Sequence, residues 1–183
     1  PKFREVYPGV FVIHLPLPMR PTIVNVTLLH SGDEWALVDT GVNTSDSIDA
    51  LTAALRQIGC APEKIGKLIG THHHPDHFGC SNAYKELTGA AIYLHPLEYE
   101  ASKHYAPKGR SEEAMRFFLE HGIPLHRFVK VPSPGEFWDK LYKPTAPDHF
   151  MDDGDIIRVG RFELEVITTP GHTPGHCVLY LRQ

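Results

Sequence analysis

The feature that most constrains this chain is a dense group of metal-ligand residues directly after a short apolar segment, residues 67–70. The side chains concerned are His72, His74, Asp76 and His77. Neutral imidazole and carboxylate groups suit zinc or iron. In an extended backbone residues 72 and 74 point the same way, whereas the last two follow the bend at Pro75 and aim at a second point. The sequence therefore indicates a place for two adjacent metal ions, with His73 facing away.

A second histidine-containing loop strengthens this interpretation. Residues 169–176 form a stiff segment of Pro, Gly and Thr that includes His172 and lies about a hundred residues downstream of the first motif. For a lone His-x-His pair, a solvated turn or a tract with adventitious metal affinity would be the favoured explanation. The density of the first motif and the presence of the second favour a built site over that alternative.

Composition and charge limit the function classes. The chain has 183 residues, of which 42% are hydrophobic and 22% charged, and a formal net charge of −4; these values are typical of one water-soluble globular domain. The scattered Lys and Arg residues do not form the basic stripe that nucleic-acid binding needs, so no nucleic-acid partner is expected. No apolar run approaches the roughly 18 residues of a membrane span, and no membrane partner is expected.

The cysteine pattern predicts the compartment. Cys60, Cys80 and Cys177 are odd in number and widely spaced, and no Cys-x-x-Cys pair occurs. Neither a disulfide framework nor a structural zinc knuckle is indicated, and a reducing, cytoplasmic location is predicted.

The hydrophobic pattern predicts alternating strands and helices. Strands are expected over residues 10–17, 23–30, 35–38, 91–94 and 177–181, with a hairpin formed by residues 155–159 and 162–167. An amphipathic helix is expected through residue 58 after N-cap candidates at 43–45, and a second helix from Pro75 to Gly89. The histidines of the first motif thus follow a buried strand and precede a helix.

Residues 98–150 differ from the rest of the chain. Six prolines interrupt this segment, aromatic residues are frequent, and residues 111–120 are its one clear helical pattern. The segment is interpreted as an insertion or lid within a single domain, 1–183. Its aromatics either cover a pocket or form a small satellite core.

These motifs resemble the metallo-β-lactamase superfamily, in its glyoxalase II-like and lactamase-like branch. The resemblance rests on residues 71–79, on residues 38–41 upstream and on residues 170–176 downstream. It implies an α/β (α+β) fold, a four-layer αβ/βα sandwich with metal ions at one edge between two sheets. His72, His74 and His172 would ligate the first metal, Asp76 and His77 the second, and Asp39 would orient the site from behind the ligands.

The resemblance also implies further metal ligands beyond Gln183. Members of the superfamily continue into an Asp that bridges the metals and later a His that completes the second site. The domain is therefore expected to be C-terminally incomplete, with two zinc ions in a full-length chain and iron or manganese as other candidates. On these residues the first metal has three ligands and the second only two.

The expected activity is that of a metallo-hydrolase acting on a small molecule. A metal-bound hydroxide would attack an ester, thioester, lactone or amide carbonyl, and Asp76 would hold or deprotonate the attacking water. Two alternatives stay open: a mononuclear-iron dioxygenase on the same scaffold, and a non-catalytic metal-binding fragment. The identity of the native metal separates the first alternative from the hydrolase, and loss of turnover with retained folding would identify the second.

Overall fold

The computed structural model describes residues 2–103, 116–117, 119–122, 124 and 141–182. They form a seven-stranded mixed sheet and a three-stranded antiparallel sheet, with helices between the strands. The expected mixed α/β class is confirmed. Each helix in these residues is too short or too polar to span a bilayer.

The larger sheet changes from antiparallel to parallel along its width. Its first four strands are β1 (Lys2–Tyr7), β2 (Val10–Pro16), β3 (Ile23–Ser31) and β4 (Glu34–Val38), and they pair antiparallel in chain order. The parallel part adds β5 (Ile65–Ile69), β6 (Ala91–Leu94) and β7 (His149–Phe150). The hydrophobic pattern does not predict β1 or β7. Because β4, β5 and β6 are parallel, the loops that follow them emerge at one edge of the sheet.

Helices cover one face of the larger sheet. Helix α1 (Ser45–Ile58) begins at the N-cap Thr44, whose side chain accepts a hydrogen bond from the Ser47 amide, and it ends at the left-handed Gly59. Its buried Leu51 and Leu55 pack into a cluster with side chains from β2 to β6. A 3-10 helix (Pro62–Lys64) leads into β5. The amphipathic helix expected from the sequence is confirmed.

The helix expected from Pro75 to Gly89 is divided into two. Helix α2 (Pro75–Phe78) is followed at once by α3 (Ser81–Thr88), which ends at the left-handed Gly89. Gly79 still has helical backbone angles, and the chain leaves the helical conformation at Cys80, with φ −90° and ψ 6°. A Cβ atom at Gly79 would collide with the carbonyl oxygens of Pro75 and Leu141, so the approach of the Leu141 segment requires glycine here, a tertiary contact that no local pattern reveals.

The smaller sheet covers the other face. It consists of β8 (Ile156–Val159), β9 (Phe162–Thr168) and β10 (Cys177–Arg182), in the order β10-β9-β8. Leu164 and Val166 on its inner face pack with Leu29, Ala36 and Ile69 of the larger sheet. The predicted hairpin and final strand are confirmed. Three layers therefore lie in the described residues: helices, large sheet and small sheet.

The described residues cover the two ends of the segment 98–150 and, between them, only residues 116–117, 119–122 and 124. Helix α4 (Pro96–Lys103), which the pattern analysis did not predict, carries the fully buried Glu98, and at the other end Leu141 and Tyr142 are buried. Most of the helix expected over residues 111–120 falls outside the described residues. The lid, and the single-domain boundary of which it is part, stay predictions.

Candidate metal centre

Three histidines from two loops converge at the edge between the sheets. His72 and His74 lie between β5 and α2, and His172 lies between β9 and β10. One ring nitrogen of each lies within 4.8 Å of one from each of the others. Nitrogen ligands of a tetrahedral zinc ion are about 3.3 Å apart, so small side-chain rotations would bring all three onto one ion. This is the set that the resemblance implies for the first metal.

The local backbone explains how the first loop presents its histidines. His72, His73 and His74 follow β5 in a loop whose last residue, His74, has an extended backbone, and the side chains of the loop alternate between its two sides. His72 and His74 face His172, with ring centroids 4.9 and 4.6 Å from its ring. His73 faces away and contacts Glu98 instead. Pro75 then opens α2 at its first position, where the missing N–H is not needed.

His72 has an unpaired nitrogen in a buried position. In the described part of the chain its Nε2 atom is inaccessible and has no hydrogen-bond partner, although a buried polar atom without one costs about 1–3 kcal/mol. Its Nδ1 lies 3.0 Å from Thr71 Oγ1, which lies 3.0 Å from both carboxylate oxygens of Asp39. If the hydroxyl donates to the carboxylate, it accepts from Nδ1–H, which leaves the lone pair of Nε2 for a metal. The residues present therefore fit a metal ion.

Asp39 connects both halves of the motif. It follows β4 with a left-handed backbone, φ 61°, and accepts hydrogen bonds from the Thr71 amide at 2.8 Å and from His77 Nδ1 at 2.7 Å. A carboxylate that holds a histidine by one ring nitrogen directs the other nitrogen toward a metal. This position supports the orienting role that the resemblance implies for Asp39.

His72, His74 and His172 are called the triad below. Asp76 and His77 lie beside the triad and are not part of it. The His77 ring centroid is 4.2 Å from that of His72, and His77 Nε2 is 3.6 Å from Asp76 Oδ2. The Asp76 side chain is 38% exposed, so it can reach solvent as well as the site. Both residues are close enough to serve a second ion next to the first, and their role as its ligands stays a prediction.

The surroundings shift the pKa values of His72 and His74 in one direction and that of His77 in the other. Burial, reinforced by the neighbouring histidines, lowers the pKa of His72 to about 2 and that of His74 to about 4. Both rings are therefore neutral, as metal ligands must be, over the physiological range. Burial also acts to lower the pKa of His77, but its hydrogen bond to Asp39 and the charges of Asp39 and Asp76 outweigh burial and raise that pKa.

Two cavities border the site. One, of about 410 Å³, lies between the sheets and is bordered by His72, His77 and His176, with mostly apolar walls. The other, of about 180 Å³, is bordered by His74, Asp76 and the loop that contains Met19 and Arg20.

Two further side chains belong to this region. His176 directly precedes β10. Its Nδ1 shares a hydrogen bond with Thr169 Oγ1 at 2.8 Å, and its ring centroid lies 5.1 Å from that of His72. Burial and the nearby His172 lower the pKa of His176. Glu98 is fully buried and joins the two histidine loops through His73 and Gly175. Sequence reasoning missed Glu98, although a carboxylate shortly after a parallel strand next to β5 was an available signal.

Fold and site together define a mixed α/β domain with a histidine cluster suited to a metal ion between two sheets. The chain belongs to the metallo-beta-lactamase superfamily, whose family model matches residues 19–183.

Relatives of known structure or name agree with this assignment. A metallo-beta-lactamase family protein from Thermus thermophilus superimposes with a TM-score of 0.73 at 31% identity, over 97% of this chain and 57% of that one. A hydroxyacylglutathione hydrolase of Chelativorans sp. is 29% identical over 72% of this chain and 34% of its own length. An acyl-coenzyme A thioesterase of Gallus gallus is 25% identical over 96% of this chain and 59% of its own length. The chain thus spans less than two thirds of each.

Proposed function

We propose that this chain carries the metal-binding part of a metal-dependent hydrolase that cleaves a small ester, thioester, lactone or amide. One observation carries the proposal: three histidine nitrogens converge, and the buried Nε2 of His72 has no hydrogen-bond partner among the residues that the structure describes. His72, His74 and His172 would hold the first metal, and Asp76 with His77 would contribute to the second. Zinc is the metal that a three-histidine set with an open position favours, with iron or manganese as other candidates.

The chain's own residues would supply positioning and proton transfer. When bound, the metal lowers the pKa of water toward neutrality and polarises a carbonyl group. Asp76, partly exposed at the mouth of the site and 3.6 Å from His77 Nε2, is the residue that would accept a proton from the attacking water. Asp39 would keep His77 and, through Thr71, His72 in fixed orientations.

Thioesters are the substrate class that we favour among the four. The relatives that support this choice are named as a hydroxyacylglutathione hydrolase and an acyl-coenzyme A thioesterase. The apolar walls of the cavity beside His72 and His77 also suit an acyl group better than a phosphate. We therefore propose a small-molecule substrate and no nucleic-acid partner.

The proposed location is cytoplasmic. Cys60, Cys80 and Cys177 are all buried and free. Burial raises the pKa of each thiol, to about 11 for Cys60 and Cys177 and about 12 for Cys80. Unpaired cysteines support a reducing compartment.

The proposal is tested by measuring metal per chain by elemental mass spectrometry on the complete protein, purified without added metal. We expect zinc near two equivalents, and His172→Ala to lose metal and metal-dependent thioester hydrolysis. His149→Ala is the matched control, because His149 is exposed in β7 and outside the cluster. About one equivalent of iron would favour the dioxygenase alternative, and full metal content in His172→Ala would contradict the site assignment.

A further inference from the structure

Glu98 lies where the two histidine loops meet, although no metal-ligand motif includes it. It belongs to the first turn of α4, directly after β6, and its side chain is fully buried. A buried carboxylate is costly unless it is paired and hydrogen-bonded. Its contacts therefore show what it does in the fold.

One oxygen of Glu98 contacts the first histidine loop. Its Oε2 accepts a hydrogen bond from the His73 amide at 2.8 Å and contacts His73 Nδ1 at 2.5 Å. His73 stands between His72 and His74, so these two bonds fix the backbone and the side chain of the residue that separates two ligands. His72 and His74 can both face His172 only if the side chain of His73, between them, points to the opposite side of the loop.

The other oxygen of Glu98 contacts the second histidine loop. Its Oε1 accepts a hydrogen bond from the Gly175 amide at 2.6 Å. Gly175 also packs so closely on His95 that a side chain at position 175 would collide with the imidazole ring. The loop that contains His172 is thus held against the start of α4. A further bond, from the Cys177 amide to the Thr71 carbonyl at 3.0 Å, joins the same loops at the start of β10.

From these contacts we propose that Glu98 is a positioning residue that sets the separation between His172 and the pair His72 and His74. The histidines come from loops attached to different sheets, and a single carboxylate bridges those loops by three hydrogen bonds. Only a carboxylate offers two acceptor oxygens to donors on both sides. A glutamine at position 98 would direct its NH₂ group, which cannot accept a hydrogen bond, toward the donors of either His73 or Gly175, and the hydrogen bonds to that loop would be lost. This inference rests on the proposed metal centre.

The test is the affinity of the complete protein for Co²⁺ and Zn²⁺, measured by chelator competition, with the absorption spectrum of bound Co²⁺ as a second readout. We expect Glu98→Gln to weaken binding of the first equivalent by about 10–100-fold, the range for residues that orient metal ligands. The cobalt spectrum should change as the ligand geometry loosens. His73→Ala keeps the hydrogen bond between Glu98 and Gly175 and should weaken metal binding by less. It is the variant to measure if Glu98→Gln does not fold.

Two controls separate positioning from general stability. Glu100→Gln removes a charge from the exposed side of α4 and should leave metal affinity and spectrum unchanged. Leu51→Ala destabilises the core on the helix side of the large sheet, and it should lower the unfolding temperature of the metal-free protein without altering the cobalt spectrum. Unchanged affinity and spectrum in both Glu98→Gln and His73→Ala, or an equal loss of affinity in Leu51→Ala, would overturn the inference alone. If the unaltered protein bound no metal, the proposed function would fail and this inference with it.

Discussion

His72 and His74 lie in a different environment from Asp76 and His77, although all four belong to one six-residue segment. His72 is 3% exposed and its neighbours are other histidines. Asp76 is 38% exposed at its side chain. The first pair is completed by His172 from the second sheet, whereas in the described part of the chain no third side chain joins Asp76 and His77 in a metal-sized cluster.

The difference shows that the spacing of ligand residues in the sequence does not by itself determine how well their side chains are positioned for a metal. Spacing determines which side chains can face one point. Packing determines whether their nitrogens are neutral, buried and held in place. Burial lowers the pKa values of His72 and His74, while Asp39 raises the pKa of His77. We therefore expect the triad to bind metal more tightly and independently of the second pair.

The largest effect is expected from removing the triad's central ligand. His72→Ala should weaken the first metal by more than the roughly 100-fold that loss of an outer residue costs, and it should abolish metal-dependent turnover. The metal-free variant should keep its circular-dichroism spectrum, because among the described residues the His72 Nε2 atom has no hydrogen-bond partner and Nδ1 loses only its contact with the hydroxyl of the neighbouring Thr71. His14→Ala, in β2, is the control. Metal titration of both variants checks this, and a variant that retains wild-type affinity would contradict the triad.

A smaller effect, confined to rate, is expected from Asp76→Asn. If Asp76 accepts the proton of the attacking water, thioester turnover should fall by at least about 100-fold, the lower end of general-base contributions. Affinity for the first metal equivalent should stay within a few-fold, since Asp76 is not part of the triad. Steady-state kinetics and metal content are measured together, with Asp33→Asn in an exposed turn as control. If Asp76→Asn lost turnover and first-site metal to the same extent, Asp76 would contribute to the first metal site, and the proposed difference between the triad and the pair Asp76 and His77 would be wrong.

The sequence predicted those parts of the fold that local patterns determine. The periodicity of α1, the alternation of β8 and β9 and the density of ligands at residues 72–77 each depend on neighbours along the chain. The superfamily resemblance, which the family match confirms, supplied the link to His172. The convergence of those loops in the structure required the packing of one sheet on the other.

The features that the sequence did not reveal depend on tertiary contacts. The close approach of the Leu141 segment explains why glycine stands at position 79, between α2 and α3. Glu98 was missed because its partners, His73 and Gly175, are 25 and 77 residues away. Its place shortly after a parallel strand is a signal in the sequence, but its burial depends on donors that only the folded chain brings near.

Asp39→Asn should affect both halves of the site, by less than either change above. Asparagine tolerates the left-handed backbone at this position, so the turn should persist. Its amide replaces one carboxylate oxygen and cannot accept from both Thr71 and His77. We expect a loss of about 10-fold in affinity for each equivalent, measured by chelator competition against Asp33→Asn. A loss of affinity for only one metal equivalent would show that Asp39 orients either His72 or His77, and would contradict the proposal that it orients both.

The smallest effect concerns stability in acid and tests whether the framework behind the triad is formed before metal binds. Burial opposes ionisation of Glu98, but the bonds from His73 and the Gly175 amide prevail and lower its pKa to about 2, from an ordinary 4.5. A pKa lowered by folding gives stability that is fully present above pH 4.5 and is lost as the pH falls toward 2. Unfolding temperatures of the chelator-treated protein should therefore differ most between wild type and Glu98→Gln at neutral pH, by about 5 °C. The difference should shrink as the pH falls to about 2.5, whereas Glu100→Gln should follow wild type throughout. If the unfolding temperatures of wild type and Glu98→Gln did not differ at neutral pH, the bridging carboxylate would not be formed without metal, and the three histidines would be assembled by the ion itself.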